Sequence, residues 1–74
     1  MNYQFIYRRL GKETSKIRKQ KKISQENLAF DAHIDRSSLA EIEEGKGNPT
    51  LKTLLKISRL LKIKLSHLLI LIKI

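Results

Sequence analysis

Side chains that could catalyse a reaction or hold a metal occur in this sequence, but their spacing matches no known site. His33 and His67 are too far apart to form a zinc motif, and there is no cysteine to complete one. The acidic residues near the middle of the chain lack a nucleophile, a base and an orienting group at catalytic spacing, and no glycine-rich loop could cradle a phosphate. We therefore predict no enzyme activity, no metal and no cofactor.

Charge is the strongest chemical signal in the sequence. Sixteen Lys and Arg against seven Asp and Glu give a formal net charge of +9, which indicates a polyanionic partner, either nucleic acid or an anionic membrane surface. The charge is uneven. Residues 8–22 hold eight basic side chains and one acidic side chain. Residues 23–50 hold two basic and six acidic side chains, and residues 51–74 hold six basic side chains and no acidic one. Only four residues are aromatic, too few to stack single-stranded bases.

The length of 74 residues predicts a single domain, residues 1–74. The absence of cysteine suits a reducing compartment. No signal peptide is visible, and no stretch reaches the roughly 18 apolar residues that span a bilayer. We expect a cytoplasmic protein.

The spacing of apolar residues predicts an all-α fold with five helices, over about residues 3–21, 25–32, 36–44, 51–61 and 65–71. Ser24, Asp35 and Thr50 are expected to cap the second, third and fourth helices. Gly45 is expected to end the third helix in the left-handed conformation. In the fourth helix, the apolar residues at 51, 54, 57 and 61 follow a helical period.

The second and third helices, residues 25–44, have the lengths and the short turn of a helix-turn-helix. The small Ala29 would let the two helices cross closely, and Ile34, Leu39 and Ile42 would pack inward. In this motif the second of the two helices, here the third helix of the chain, is called the recognition helix. Its N-terminal part enters the major groove of DNA. The outer face of that helix would carry Arg36, Ser37, Ser38, Ala40 and Glu41.

The chain resembles the phage Cro/repressor (Xre) helix-turn-helix family over residues 24–69, SQENLAFDAHIDRSSLAEIEEGKGNPTLKTLLKISRLLKIKLSHLL. Leu10-Gly11 and Ile17-Arg18 extend the resemblance into the first helix. The succession SQENLAF, DRSS and GKGNPTL is similar to controller proteins of restriction–modification systems and to small phage-type repressors. The resemblance implies a compact five-helix, lambda-repressor-like DNA-binding domain.

The resemblance also implies which residues would bind DNA. Gln25 falls where the family grips a backbone phosphate, and Lys46 and Asn48 fall in a loop that approaches the next phosphates. Base edges would be reached by Arg36, which can donate twice to guanine, and by Glu41, which can accept from cytosine N4. Either side chain could instead be solvated, and Arg36 could instead clamp a phosphate.

Other positions of the resemblance have structural or mixed interpretations. Arg18 and Glu43 match a family pair that ties the first helix to the recognition helix, and we expect a partly buried ion pair. Ser37 would contact DNA at base edges, and Ser38 would also contact DNA. Both side chains could instead hydrogen-bond the nearby backbone. Ser38 stands where the family often has tyrosine.

Three further positions depart from the family. Lys22 and His33 occupy positions that are usually glycine, so both are expected to have positive φ. Thr14 replaces an apolar core residue.

The C-terminal segment, residues 65–74, holds more apolar side chains than a core of this size can bury. We interpret the surplus as a dimerisation element built from the fifth helix and the tail, in which extended Ile70–Ile74 strands could pair across a two-fold axis. The alternative is a disordered or aggregation-prone tail. Its interface residues would be Leu65, Leu69, Ile70 and Ile72. A two-fold dimer would place two recognition helices about 34 Å apart, one turn of DNA.

These features predict a dimeric, sequence-specific transcriptional regulator that binds a palindromic operator in double-stranded DNA. It would act by occupying a promoter, or also by contacting RNA polymerase. Two other hypotheses stay open. One is an antitoxin-like interaction module that covers a toxin partner with its apolar C-terminus. The other is a basic membrane-surface protein, which would leave the central motif unexplained.

Overall fold

The structure, a computed structural model, describes residues 4–70, except for the side chain of Ile70. Over that range it has five α-helices and no strand, which confirms the predicted all-α class. No helix in this part of the chain is both long and apolar enough to cross a membrane. The helices are α1 Gln4–Gln20, α2 Gln25–Asp31, α3 Arg36–Glu43, α4 Leu51–Leu60 and α5 Leu65–Ile70.

Two of the three predicted N-caps make the expected hydrogen bond. The Ser24 hydroxyl accepts from the Asn27 amide at 3.0 Å, and the Thr50 hydroxyl accepts from the Thr53 amide at 3.1 Å. Asp35 has the extended backbone of an N-cap, but its side chain makes no capping hydrogen bond. Asp35 is exposed, so water can hydrate its carboxylate and the amides at the start of α3 instead.

Four helix ends share one backbone motif. Lys22, His33 and Lys62 have φ of 58°, 57° and 57°, and Gly45 has φ of 77°. At His33, the amide bonds the Phe30 carbonyl and the next amide bonds the Ala29 carbonyl, which is the Schellman pattern. The same pair of bonds recurs at the other three residues. The positive φ predicted at Lys22 and His33 is confirmed, and Lys62 was not foreseen.

The isoleucine that follows each non-glycine left-handed residue explains why the motif is tolerated there. Ile23, Ile34 and Ile63 are half-buried and pack against the core. Their burial offsets the cost of about 1 kcal/mol for a side chain in the left-handed region.

One hydrophobic core joins the helices. Its most deeply buried large apolar side chains are Leu28, Leu39, Ile57, Leu61 and Leu68. Thr14 is also fully buried, and its hydroxyl donates to the Leu10 carbonyl at 2.8 Å, so the polar group is satisfied inside the core. Leu51 was expected on the apolar face of α4 but lies at its first turn with 66% of its surface exposed.

Candidate nucleic-acid interface

Helix α3 presents a polar face to solvent because its apolar residues anchor it on the other side. Leu39 is fully buried and Ile42 is 6% exposed. The small Ala29 of α2 is 1% exposed, so α2 and α3 approach closely. The opposite face of α3 carries the exposed side chains Arg36, Ser37, Ser38 and Glu41. The structure therefore brings the residues expected to face DNA onto one accessible surface.

Close contact with α1 fixes the position of α3. Gly11 lies against the C-terminal end of α3, where an added Cβ would collide with the carbonyl oxygens of Ile42 and Glu43. Only glycine allows this approach. Helix α1 therefore supports the recognition helix from behind and leaves its outer face open.

A largely buried hydrogen-bond network reinforces this contact. Arg18 donates from Nε to Glu43 Oε2 at 2.7 Å and from Nη2 to Glu43 Oε1 at 2.9 Å. Its Nη1 donates to the Ile23 carbonyl at 2.8 Å. The side-chain hydrogen bonds to Glu43 and its negative charge raise the pKa of Arg18 against the opposing effect of burial. The ion pair expected from the resemblance is present, and it links α1 to the end of α3.

Gln25, the first residue of α2, joins the same network. Its Nε2 donates to Glu43 Oε1 at 3.2 Å. Gln25 is half-buried. Its side chain is oriented by Glu43, which is itself largely buried. The second N–H of the Gln25 side-chain amide could donate a hydrogen bond to a ligand.

Arg36 has a partner that the sequence did not reveal. Its Nη1 lies 3.6 Å from Glu26 Oε2 on α2, and both side chains are mostly exposed. An exposed pair at this distance contributes little stability. Arg36 can therefore exchange Glu26 for another acceptor at small cost.

The loop between α3 and α4 lies beside the recognition helix. Lys46 and Asn48 are exposed there, with Lys46 Nζ 3.4 Å from Glu44 Oε2. The Asn48 side-chain oxygen accepts a hydrogen bond from the Tyr7 hydroxyl at 3.0 Å. Between this loop and α3 runs an open groove of about 410 Å³, whose lining includes Ser38, Glu41, Asn48 and Thr53.

The residues expected at a dimer interface are only partly described. Leu65 is half-buried against the core, whereas Leu69 is 39% exposed. Ile72 and the side chain of Ile70 lie outside the described residues. Leu51 and Leu55 on α4, which packs on α5, are exposed as well. Among the described residues, no group of three or more His, Cys, Asp or Glu side chains could hold a metal ion.

Comparison with known proteins adds sequence relatives to this geometry. Residues 15–68 match a family model described as Helix-turn-helix. The chain is 40% identical over 57 residues to the immunity repressor protein of Bacillus phage phi105, a match that covers 77% of this chain and 40% of that protein. It is 44% identical over 61 residues to the control protein C.MunI of Mycoplasma sp, covering 81% of this chain and 82% of that protein. The chain thus spans less than half the length of the phage repressor.

A solved structure agrees with the sequence matches. The restriction-modification controller protein C.AhdI from Aeromonas hydrophila superposes with a TM-score of 0.82 and 34% sequence identity. The superposition covers 84% of this chain and 94% of that chain. The similarity therefore extends over nearly the whole of a controller protein as well as the central motif.

Proposed function

The chain belongs to the Xre-type helix-turn-helix family of DNA-binding transcriptional regulators, and from that membership we propose that it is a sequence-specific regulator acting as a dimer on a palindromic operator. The single observation that carries the proposal is the exposed polar face of α3, Arg36, Ser37, Ser38 and Glu41, on a helix held rigidly from behind. A short helix anchored in this way can enter the major groove without rearrangement.

In the proposed complex, Arg36 leaves Glu26 and donates to a guanine, while Glu41 accepts from a cytosine N4. Gln25, held by Glu43, donates to a backbone phosphate, and Lys46 and Asn48 do the same from the loop. Phosphate contacts position the domain, and the base contacts then select the sequence.

The proposed dimer uses the exposed Leu69 of α5, and the other proposed interface residues are Leu65, Ile70 and Ile72. Its support is the exposure of Leu69 and the excess of apolar residues at 65–74. A two-fold axis there would set the half-sites about 34 Å apart. Occupying a promoter is then the simplest mode of regulation, and the proposed location is the cytoplasm.

The test is selection of bound duplexes from a random library, followed by titration of the selected sequence at several salt concentrations. We expect a palindromic motif with half-sites about one helical turn apart. Arg36→Ala should lose about 1–3 kcal/mol of discrimination at one base pair. The matched control is Arg59→Ala, since Arg59 is an exposed arginine on α4 and should leave the preferred sequence unchanged. Binding with a steep salt dependence but no motif would reject sequence-specific regulation.

A second candidate function is an antitoxin-like module that binds another protein. The specific observation in its favour is the exposure of Leu51, Leu55 and Leu69, together with the net negative charge of residues 23–50. This function requires a monomeric free chain and a stoichiometric protein partner in a pull-down. Sedimentation of the free chain as a dimer that binds the selected duplex would favour the DNA-binding function instead.

A further inference from the structure

A hydrogen bond joins two residues that are 41 positions apart in sequence. The Tyr7 hydroxyl on α1 donates to the side-chain oxygen of Asn48 in the α3–α4 loop at 3.0 Å. Tyr7 is half-buried and Asn48 is exposed. Neither the family pattern nor the periodicity of the sequence pointed to Tyr7.

The backbone around this bond is held at a fixed separation. Gly45, at the start of the loop, has φ of 77°, and an added Cβ there would lie 2.6 Å from Arg8 Cγ and 2.8 Å from Arg8 Cα. The loop therefore packs directly on the residue that follows Tyr7. Since Gly11 packs as closely on the end of α3, helix α1 is fixed against both the loop and the recognition helix.

The direction of the hydrogen bond decides which end of the Asn48 amide faces a ligand. An asparagine side chain has an oxygen that accepts and an NH₂ group that donates twice. Because the Tyr7 hydroxyl occupies the oxygen, the NH₂ end stays available. The ionised phosphate oxygens of DNA only accept hydrogen bonds, so they require that end.

We infer that Tyr7 is a positioning residue for DNA binding, whose hydroxyl orients the Asn48 amide so that Nδ2 donates to a backbone phosphate. This inference rests on the proposed DNA-binding function and adds α1 to the elements that determine affinity. Without the hydroxyl, the amide can rotate and present its oxygen to the phosphate.

The test is a double-mutant cycle with Tyr7→Phe and Asn48→Ala, measured by titration of the selected operator and of an unrelated duplex. Asn48→Ala should weaken binding at least about tenfold on both duplexes, because it removes a hydrogen bond to an ionised phosphate. Tyr7→Phe should weaken binding on both duplexes by less, because the freed amide can still rotate into the donating orientation. The double variant should bind as Asn48→Ala does, because Tyr7 acts only through Asn48. The preferred sequence should not change, since a phosphate contact carries no base information.

Asn48→Asp separates the hydrogen bond that Asn48 accepts from Tyr7 from the hydrogen bond that Asn48 donates to the phosphate. An aspartate can still accept from Tyr7 but has no N–H to donate, so we expect it to bind DNA more weakly than Asn48→Ala. Thermal unfolding of Tyr7→Phe should shift by at most a few degrees, since the variant loses one exposed hydrogen bond. The variant is then folded during the titration, so its weaker binding is not a loss of folded protein.

The outcomes distinguish the inference from the proposed function. If the losses of Tyr7→Phe and Asn48→Ala multiply in the double variant, Tyr7 acts independently of Asn48 and the inference is wrong. The inference also fails if Tyr7→Phe binds as tightly as the unmodified chain. If the unmodified chain itself binds no duplex, the proposed function fails first.

Discussion

Replacing Arg18 by methionine should destabilise the domain far more than the loss of an exposed charge does. The Arg18 and Glu43 side chains are only 10% and 6% exposed, and two hydrogen bonds join them. Arg18→Met leaves the Glu43 carboxylate with the Gln25 amide as its remaining hydrogen bond in the network. Removing one partner of a buried pair costs about 3–5 kcal/mol. A domain of this length has a free energy of unfolding of roughly 4–11 kcal/mol, so much of the stability would be lost.

Urea unfolding followed by far-ultraviolet circular dichroism measures this loss directly. The control is Arg36→Met, which removes an arginine from the exposed pair with Glu26 and should cost less than about 1 kcal/mol. Replacing both buried partners, with Arg18→Met and Glu43→Leu together, should cost much less than the sum of the two single changes. A loss below about 1 kcal/mol for Arg18→Met, or strict additivity in the double variant, would refute the reasoning.

Three other predictions concern helix ends, DNA affinity and assembly. Lys62→Gly should raise the free energy of unfolding by about 0.5–1 kcal/mol, because Lys62 has positive φ; an unchanged melting temperature would contradict this. Glu26→Gln should tighten operator binding several-fold at low salt and less at high salt, since it releases Arg36 and removes a negative charge near the phosphates. Leu69→Asp should shift sedimentation from dimer to monomer while circular dichroism stays the same, and a retained dimer would place the interface elsewhere.

The fold was largely predictable from local signals in the sequence. Ser24 and Thr50 cap their helices as expected, and Gly45 ends α3 in the left-handed conformation. Lys62 was missed, although the dipeptide Lys62-Ile63 repeats the Lys-Ile pair that ends α1. The sequence therefore held a signal for Lys62: a polar residue followed by a core isoleucine just beyond a helix.

The contacts of the candidate site were less predictable, because they join residues distant in sequence. No periodic pattern links Glu26 to Arg36 across the turn, or Tyr7 to Asn48 across 41 positions. Only the Arg18–Glu43 pair was expected, and that expectation came from the family resemblance. Spacing identifies which residues share a helix face, whereas the packing angle of two helices decides which exposed side chains meet.

The distribution of charge suggests how affinity and specificity are divided under the proposed function. Residues 23–50, which include both helices of the motif, hold two basic and six acidic side chains, a net charge of −4, whereas residues 8–22 carry eight basic side chains and one acid. Long-range attraction to DNA must therefore come from outside the motif. An exposed acid on α3, Glu41, is repelled by phosphates unless a cytosine N4 donates to it. Such a residue weakens binding to incorrect sequences more than to the operator, so the acidic motif would raise discrimination at the expense of affinity.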